Sequence, residues 1–375
     1  MFALQDWYDL KGQPYMLGLL LHGQPGTGKC LGEDTPVMLA DGSIKAVQDI
    51  RTGDVLMGDD STPRRVLSLA RGREEMVRIL PARGGGSYTC NKSHILSLQY
   101  SSDGSIGFAN GTHYVDTCDL TTGRSRRMSC STLDEAESVS LALLDSDRTV
   151  DISVADLLSA NKTIRHRLKG FRVGVEFAGA PVPLDPYMLG YWIGDGASRD
   201  ARITTADPEV VQYFRTGAEA LGMQLVQGER YDYGIRPMPG GVPFHSPNEF
   251  RRILTRLDIL GRGKKRIPGV YLSNDRETRL RVLAGIIDSD GTYTKRLNQY
   301  SITQKNSALA DDILFLCRSL GFVASVSQRT YTCDLPNGKQ ITGTYNFVYL
   351  SGSGLCDIPC LLERKEGVRG QKSTN

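Results

Sequence analysis

Signals for membrane insertion, secretion and zinc binding are missing from this sequence. No apolar run is long enough to span a bilayer, and the N-terminus lacks the charged segment, apolar stretch and cleavage site of a secretory signal. The eight cysteines include no CxxC pair, and no histidine cluster accompanies them, so neither a disulfide framework nor a zinc site is indicated. The net charge of +3 is too small to indicate nucleic-acid binding by itself. These absences favour an intracellular, reduced setting.

Composition and the local pattern of polar and apolar residues divide the chain into four parts. Its 375 residues, 40% hydrophobic and 23% charged, have the size and composition of two or three globular domains. Residues 1–29 look like a fragment of a larger α/β domain, and residues 30–98 alternate short strands with turns, which predicts an all-β unit. Residues 99–177 are polar with basic clusters, and we expect an insertion or flexible arm followed by a connector. Residues 178–375 mix helical and strand patterns.

A phosphate-binding loop begins and is interrupted within the first 30 residues. The stretch Gly23–Lys29 follows an apolar segment and matches the Walker A pattern, but Cys30 stands where a Mg²⁺-binding Ser or Thr should be. Short strands and tight turns follow instead of the helix that such a loop needs. Either the protein is a damaged P-loop ATPase, or a foreign sequence has been inserted after Lys29.

Two apolar helical segments resemble each other closely. They span residues 187–196 and 282–291, and each ends in Asp-Gly. Small residues fall four positions apart in both segments, at Gly190 and Gly194 and at Gly285 and Ser289. This spacing predicts a smooth helix face that lets two backbones approach, and the final glycine predicts a C-terminal cap.

The aspartates before those glycines, Asp195 and Asp290, both stand at the C-terminal end of a predicted helix, where acidic residues are disfavoured. Each would lie at the negative end of a helix dipole. If the helices pack, the two carboxylates converge and raise each other's pKa, unless a divalent cation lies between them. Two ordinary buried helices with capping residues are the simpler explanation for one copy, but matched copies favour a site.

These paired segments resemble the motifs of LAGLIDADG homing endonucleases, and the resemblance covers roughly residues 178–370. It implies a tandem αββα fold that acts as a monomer on double-stranded DNA with Mg²⁺ or Mn²⁺. Asp195 and Asp290 would bind the metal. Lys265 and, less closely matched, Lys365 would assist at the cleavage centre. The resemblance also implies saddle-shaped sheets that lie in the DNA major groove, with the arm at 99–177 contacting DNA.

Two further stretches resemble the splicing blocks of inteins, a family that often carries such endonucleases. Cys30–Ser43 resembles the first block, and Tyr88–His94 resembles the second block in the form found in the yeast vacuolar-ATPase intein. The resemblance implies a Hint splicing domain. In that family pattern, Cys30 attacks the preceding carbonyl to give a thioester, and His94 protonates the departing nitrogen. Asn91 would polarise the carbonyl or steady the oxyanion.

An inserted intein would explain the interrupted phosphate loop. Residues 1–29 would be the N-terminal extein, and they resemble the Bcs-type mitochondrial AAA ATPases. The flanking extein would be the partner in cis, and the intein-less host gene would be the DNA target, cut in the nucleus if the host is eukaryotic. Inteins end in a strand block and a His-Asn pair, whereas this chain ends Gln371-Lys372-Ser373-Thr374-Asn375. We therefore expect the C-terminal splicing blocks to be absent, leaving the first acyl shift and DNA cleavage.

The sequence thus predicts an α+β protein with an incomplete all-β Hint domain and a tandem endonuclease domain. Two alternatives remain. A P-loop AAA ATPase fragment would need a hydroxyl residue after Lys29 and a Walker B strand. A LAGLIDADG-fold DNA-binding protein without cleavage or splicing would usually lose a motif aspartate, and both are present.

Overall fold

The computed structural model describes residues 30–81, 86–101, 104–118, 125–145, 149–239, 248–334, 340–352 and 354–369. The Walker-type loop at 23–29 and the terminal Asn375 lie outside the described residues. Within the described ranges, every helix is too short or too polar to cross a membrane.

Short antiparallel strand pairs form the first part of the chain, because glycine-containing turns follow one another closely. The turn at Asp41-Gly42 has φ 84° at the glycine, and the Ser43 amide donates to the Asp41 carboxylate (2.9 Å). The strands are β1 (Pro36–Met38), β2 (Ile44–Ala46), β3 (Val55–Met57), β4 (Pro63–Arg65), β5 (Met76–Ile79), β6 (Tyr88–Asn91) and β7 (Ile95–Tyr100). β1 pairs with β2, β3 with β4, and β5 with β6.

The stretch that the sequence predicts to be an insertion or flexible arm contains regular structure. Its elements are β8 (Ser105–Ala109), β9 (Thr112–Cys118), β10 (Ser125–Cys130), α1 (Leu133–Asp145), β11 (Thr149–Ser153), α2 (Val154–Ser159), α3 (Lys162–Arg167) and β12 (Leu168–Lys169). α1 covers one face of the β8–β9–β10 sheet through Val115, Cys130 and Ala136. β11 and β12 both pair with β7. The polar composition concealed these strands because much of the small sheet faces solvent.

Two copies of a helix-and-sheet unit form the remainder. The first contains α4 (Pro186–Asp195), β13 (Arg202–Thr204), α5 (Pro208–Ala220), β14 (Met223–Gln227), β15 (Asp232–Pro237) and α6 (Glu249–Arg256). The second contains α7 (Gly269–Leu272), α8 (Arg276–Asp290), β16 (Gly291–Thr294), β17 (Gln299–Gln304), α9 (Ser307–Ser319), β18 (Val323–Asp334) and β19 (Gln340–Ser351). The sheet orders are β13-β15-β14 and β16-β17-β19-β18. The α+β class predicted from the sequence is confirmed.

Helices α4 and α8 pack with their backbones in contact, as the small residues predict. A Cβ atom on Gly190 would lie 2.1 Å from the Val282 carbonyl oxygen, and one on Gly285 would lie 2.3 Å from that of Tyr187. Only glycine fits at either position. The large side chains beside the glycines, such as Trp192, are fully buried in the surrounding core.

Gly196 and Gly291 are the C-cap residues of α4 and α8, as the sequence predicts, and their backbone amides donate to the carbonyls of Trp192 and Ile287. Gly196 has φ −84° and Gly291 has φ −80°, both in extended backbone. The glycines are required by space, since a Cβ on Gly196 would lie 2.3 Å from the Trp192 ring and one on Gly291 would lie 2.7 Å from the Ile287 carbonyl oxygen. The chain therefore leaves each helix directly in extended form, without reversing direction through a left-handed residue.

A buried arginine joins the connector to the helical core of residues 186–369. The guanidinium of Arg279, on α8, donates to the carbonyls of Asn274 (2.8 Å), Ser319 (2.8 Å) and Val175 (2.5 Å). Beside Val175, Phe177 packs in an apolar cluster that also contains Met38 of β1, Phe315 of α9 and Val175 itself. The strand pairs and the helical core are thereby joined through the connector.

We expect Gly190→Ala to lower the free energy of unfolding by about 1–3 kcal/mol, because the new methyl group would force the packed helices apart. Urea unfolding followed by circular dichroism measures the change. Gly269→Ala is the matched control, since a Cβ there meets nothing within 4 Å. Equal effects of the two substitutions would contradict the packing argument.

Candidate functional site

The two motif aspartates, Asp195 and Asp290, lie at the adjoining ends of α4 and α8. A Cβ atom on Gly194 would be 3.3 Å from Cγ of Asp290, so the helix ends are in contact. Burial raises the pKa of Asp195 above its ordinary value, and the charge of Asp290 raises it further. Burial also raises the pKa of Asp290, although a hydrogen bond from the Gln304 side chain opposes that shift. The pair is therefore strained electrostatically and suited to a cation.

Lys265 lies on the C-terminal carbonyls of α4. Its Nζ donates to the carbonyl oxygens of Gly194 (3.0 Å) and Gly196 (2.7 Å), and it lies 5.1 Å from the centre of the Trp192 ring. Burial lowers the pKa of Lys265 to about 8, while the charges of the motif aspartates oppose the shift. A positive group is thereby held where the helix dipole is negative.

Lys365 occupies the corresponding place on α8. Its Nζ donates to the carbonyl oxygens of Ile287 (2.8 Å), Asp288 (2.7 Å) and Ser289 (3.3 Å), and burial lowers its pKa. The C-terminal end of each motif helix thus carries one aspartate and is contacted by one lysine from another segment. The structure brings all four predicted residues of the cleavage centre together.

The segments that carry these lysines are held by ion pairs that the sequence did not reveal. Arg266 pairs with Asp312 of α9 through two hydrogen bonds (2.5 and 2.7 Å). Arg364 pairs with Asp207 through two more (2.7 and 2.8 Å). The basic pairs Lys265-Arg266 and Arg364-Lys365 are visible in the sequence and could have indicated these ion pairs. Their acidic partners could not be predicted, because Asp312 and Asp207 lie far away in the chain.

Two other polar residues were missed. Gln304, at the end of β17, donates its amide to Asp290. Asp288 is buried with a raised pKa, and it accepts hydrogen bonds from the Tyr187 hydroxyl (2.9 Å) and the Leu361 amide (2.7 Å). Burial is the largest cause of that raised pKa.

The two motif carboxylates suit a hard divalent cation that keeps most of its bound water molecules. In the described part of the chain no group of three or more His, Cys, Asp and Glu side chains could enclose a metal. The two motif carboxylates remain, and carboxylate oxygens with water or phosphate oxygens as further ligands suit Mg²⁺ and related ions.

The sheets of the two units expose polar and aromatic side chains on the face opposite the core. Ile203 and Ile235 are buried, while the alternate residues Arg202 and Arg236 of the same strands are exposed. In the β18–β19 ribbon, Arg329 lies over the Phe347 ring (5.3 Å to the centroid). Such surfaces can contact both phosphates and base edges.

A second group of predicted residues meets at the start of the described chain. The backbone amide of Cys30 donates to Oδ1 of Asn91 (3.1 Å), and the backbone amide of Asn91 donates to the Cys30 carbonyl (3.0 Å). The side-chain nitrogen of Asn91 donates to Glu74 (2.7 Å) and to Ser93 (2.8 Å). Glu74 and Ser93 were not predicted from the sequence.

His94 lies in the same corner. Its backbone amide donates to the Asn91 carbonyl (3.2 Å), its side chain is buried, and its ring packs edge-on against Tyr88 with 6.1 Å between centroids. Asn91 therefore contacts both of the other predicted residues, Cys30 and His94. Lys29, whose carbonyl would be attacked, lies outside the described residues.

Comparisons with known families match both parts of the chain. Residues 30–125 match the Hom_end-associated Hint family, and residues 266–355 match the Homing endonuclease family. The replicative DNA helicase DnaB of Mycobacterium intracellulare is 28% identical over 321 residues, which is 83% of this chain and 46% of the relative. The homothallic switching endonuclease of Saccharomyces cerevisiae is 23% identical over 398 residues, 84% of this chain and 67% of the relative.

Shorter and more distant similarities were also found. The catalytic subunit of the V-type proton ATPase of Candida tropicalis is 33% identical over 83 residues, 20% of this chain and 8% of the relative. Two structures of the homing endonuclease I-DmoI, mesophilic variants and a complex with DNA and Ca, each cover 46% of this chain and 84% of theirs. Their TM-scores are 0.27, with 18% and 16% sequence identity respectively.

The two family matches and the two groups of residues define the class of protein. It combines a Hint domain of the type associated with homing endonucleases with a homing endonuclease domain. The chain is an intein with a homing endonuclease, as its sequence motifs predict. It spans about half the length of the DnaB relative and two thirds of the switching endonuclease.

We expect the charge-removing variant Asp290→Asn to unfold at a higher temperature than the wild type at about pH 8 without divalent cations. Folding raises the pKa of this carboxyl, so its charge destabilises the folded state above the raised pKa. The difference should disappear as the pH falls towards the ordinary value of 3.8 and the carboxyl is protonated. Calorimetry across this pH range measures it.

A cation binding only the folded state adds about 2.7 kcal/mol of stability at 100 times its Kd. Mg²⁺ should therefore stabilise the wild type but not the double variant Asp195→Asn/Asp290→Asn. Asp357→Asn, which breaks an exposed ion pair with Arg276, is the control and should respond to Mg²⁺ as the wild type does. Equal stabilisation of all three proteins would contradict a site at the motif aspartates.

Proposed function

We propose that this intein is a site-specific, metal-dependent endonuclease that cuts both strands of double-stranded DNA, joined to a Hint domain that forms a thioester at Cys30. One observation carries the endonuclease part. The two motif aspartates lie together at the ends of packed helices, each beside a lysine held on the helix C-terminal carbonyls.

In this proposal the motif aspartates would hold Mg²⁺ or Mn²⁺, which supplies Lewis-acid chemistry at the scissile phosphate when bound. The chain itself supplies two positive groups, Lys265 and Lys365, whose donors are fixed beside the carboxylates before DNA arrives. Such preorganised charge stabilises negative charge that develops on a phosphate oxygen. With a pKa of about 8, Lys265 could also accept a proton from water at mildly alkaline pH.

The two sheets would contact the DNA. Exposed Arg202 and Arg236 on the first sheet and Arg329 on the second can bind phosphates or guanine edges. Because one chain carries both sheets and both aspartates, a monomer would suffice to cut two strands. The target would be the intein-less copy of the host gene, and cutting would take place in the nucleus of a eukaryotic host.

At the Hint site, Cys30 would lose its thiol proton to solvent, and its sulfur would form a bond to the Lys29 carbonyl carbon while the Lys29–Cys30 peptide bond breaks. The released nitrogen would take a proton from His94. Asn91 presents its oxygen to the Cys30 amide, and its nitrogen is held by Glu74 and Ser93. We therefore propose that Asn91 orients the scissile amide, whereas the sequence resemblance implied that it polarises the carbonyl or steadies the oxyanion.

Residues 1–29 would be the N-terminal extein, from a Bcs-type AAA ATPase that is mitochondrial by resemblance. The alternative of a P-loop ATPase is disfavoured because the described residues after Cys30 pair as strand: Leu31 bridges to Cys90, and the first regular element is β1 in place of a phosphate-loop helix. A DNA-binding protein without cleavage is disfavoured by the retention of both motif aspartates.

DNA cleavage is tested with a plasmid that carries the intein-less host allele. We expect the wild type to linearise it in Mg²⁺, Asp290→Asn to be inactive, and Lys265→Met to cut about 10²–10⁴-fold more slowly. Agarose gels of a time course measure the rates. A wild type that binds the plasmid but leaves it intact would favour the binding-only alternative.

Thioester formation is tested by intact-mass spectrometry of the purified chain with and without dithiothreitol. The thiol should release residues 1–29 from the wild type, because it attacks the thioester at Lys29. Cys30→Ala should remain whole. Cys356→Ala removes an exposed cysteine elsewhere and should be cleaved as the wild type is. Release of residues 1–29 from Cys30→Ala would refute the assignment of the nucleophile.

A further inference from the structure

One helix in each unit, α5 after β13 and α9 after β17, begins at an N-cap residue whose side chain also makes a distant contact. Asn306 caps α9, since its Oδ1 accepts from the amides of Ala308 (3.1 Å) and Leu309 (3.4 Å). Asp207 stands at the N-cap of α5 but accepts no such hydrogen bond. Aspartate is among the preferred N-cap residues and usually accepts a hydrogen bond from the first turn. The missing bond at Asp207 indicates that its carboxylate has another partner.

Both N-cap side chains hold a segment that carries a lysine of the cleavage centre. The carboxylate of Asp207 binds Arg364, the neighbour of Lys365, through two hydrogen bonds. The amide nitrogen of Asn306 donates to the backbone carbonyl of Lys265 (2.9 Å). Two N-caps in corresponding places thus hold the two lysine segments.

These contacts cross between the repeats. Asp207 belongs to the first repeat, yet the lysine it supports lies on the end of α8 in the second. Asn306 belongs to the second repeat, yet Lys265 lies on the end of α4 in the first. Each lysine is therefore placed by one helix end and braced by an N-cap of the other repeat.

We propose that Asp207 and Asn306 are positioning residues, each of which aligns one of the two lysines, so that cutting of the two DNA strands can be weakened separately. The proposal rests on the endonuclease function proposed above. Misplacement of a reacting group by about 1 Å can slow a reaction up to roughly 100-fold. Loss of one brace should therefore slow one strand and spare the other.

Serine is the informative replacement at both positions. A serine hydroxyl can still accept the N-cap hydrogen bond, so the helix keeps its start. Asp207→Ser removes the carboxylate that holds Arg364, and Asn306→Ser removes the amide that holds the Lys265 carbonyl. Neither variant should lower the unfolding temperature much, and Asp207→Ser can gain the capping bond that the wild type lacks.

The test uses the full chain, Mg²⁺ and the intein-less allele with each DNA strand labelled separately. Lys265→Met and Lys365→Met first establish which strand depends on which lysine. We expect Asp207→Ser to slow the strand that depends on Lys365 by roughly 10- to 100-fold and to accumulate nicked DNA. Asn306→Ser should slow the opposite strand. Asp357→Ser, which breaks the exposed Arg276 ion pair, should show no strand bias.

Slowing of both strands equally, slowing of the strand assigned to the other lysine, or no slowing would overturn the positioning role while leaving the endonuclease in place. Arg364→Lys should reproduce the strand bias of Asp207→Ser, because lysine cannot form the same two parallel hydrogen bonds. A wild type that cuts neither strand would instead refute the proposed function, and the positioning role with it.

Discussion

The close contact between α4 and α8 is the constraint on which the rest of the endonuclease domain depends. Gly190 and Gly285 let the two backbones touch, and no larger residue fits at either position. Contact along the helices brings their C-terminal ends together. The backbone carbonyls at these ends and the two motif aspartates therefore lie close to one another. The site is therefore a consequence of how two helices pack, and its electrostatic strain follows from the same geometry.

That strain is relieved by charges built into the chain. Two helix C-termini and two carboxylates concentrate negative potential, and each helix end is matched by one buried lysine ammonium. Burial lowers the pKa of both lysines, but the carboxylates keep the shift small enough for Lys265 to stay near 8. The lysines thus offset the negative potential of the site, and in the proposed function they would already be aligned for a phosphate when DNA arrives. Folding and catalysis would use the same ammonium groups.

Sequence reasoning found the parts of this arrangement that are local in the chain. Helical periodicity, the Asp-Gly endings and the four-residue spacing of small side chains are all read within one segment, and the packed pair of helices confirms them. It failed where the partner is distant: Asp207 and Arg364 are 157 positions apart, and Gln304 reaches Asp290 from a neighbouring strand. It predicted the C-caps at Gly196 and Gly291 but not the close contacts that require glycine there, because a glycine needed for space has the same letter as a glycine needed for a left-handed turn.

The two sites share one chain but no described side chain. The first is built from Cys30 and the turn after β6, the second from helix ends and the braces around them. Their link is structural: Arg279, in the first turns of α8, holds the connector that packs with β1, while Asp290 ends the same helix. Because α8 is long and fixed by Gly285 along α4, a disturbance at its start would reach Asp290 only if the helix moved as a rigid body. The tight helix contact resists that movement, so replacing Cys30 should leave the two motif aspartates and their lysines in place.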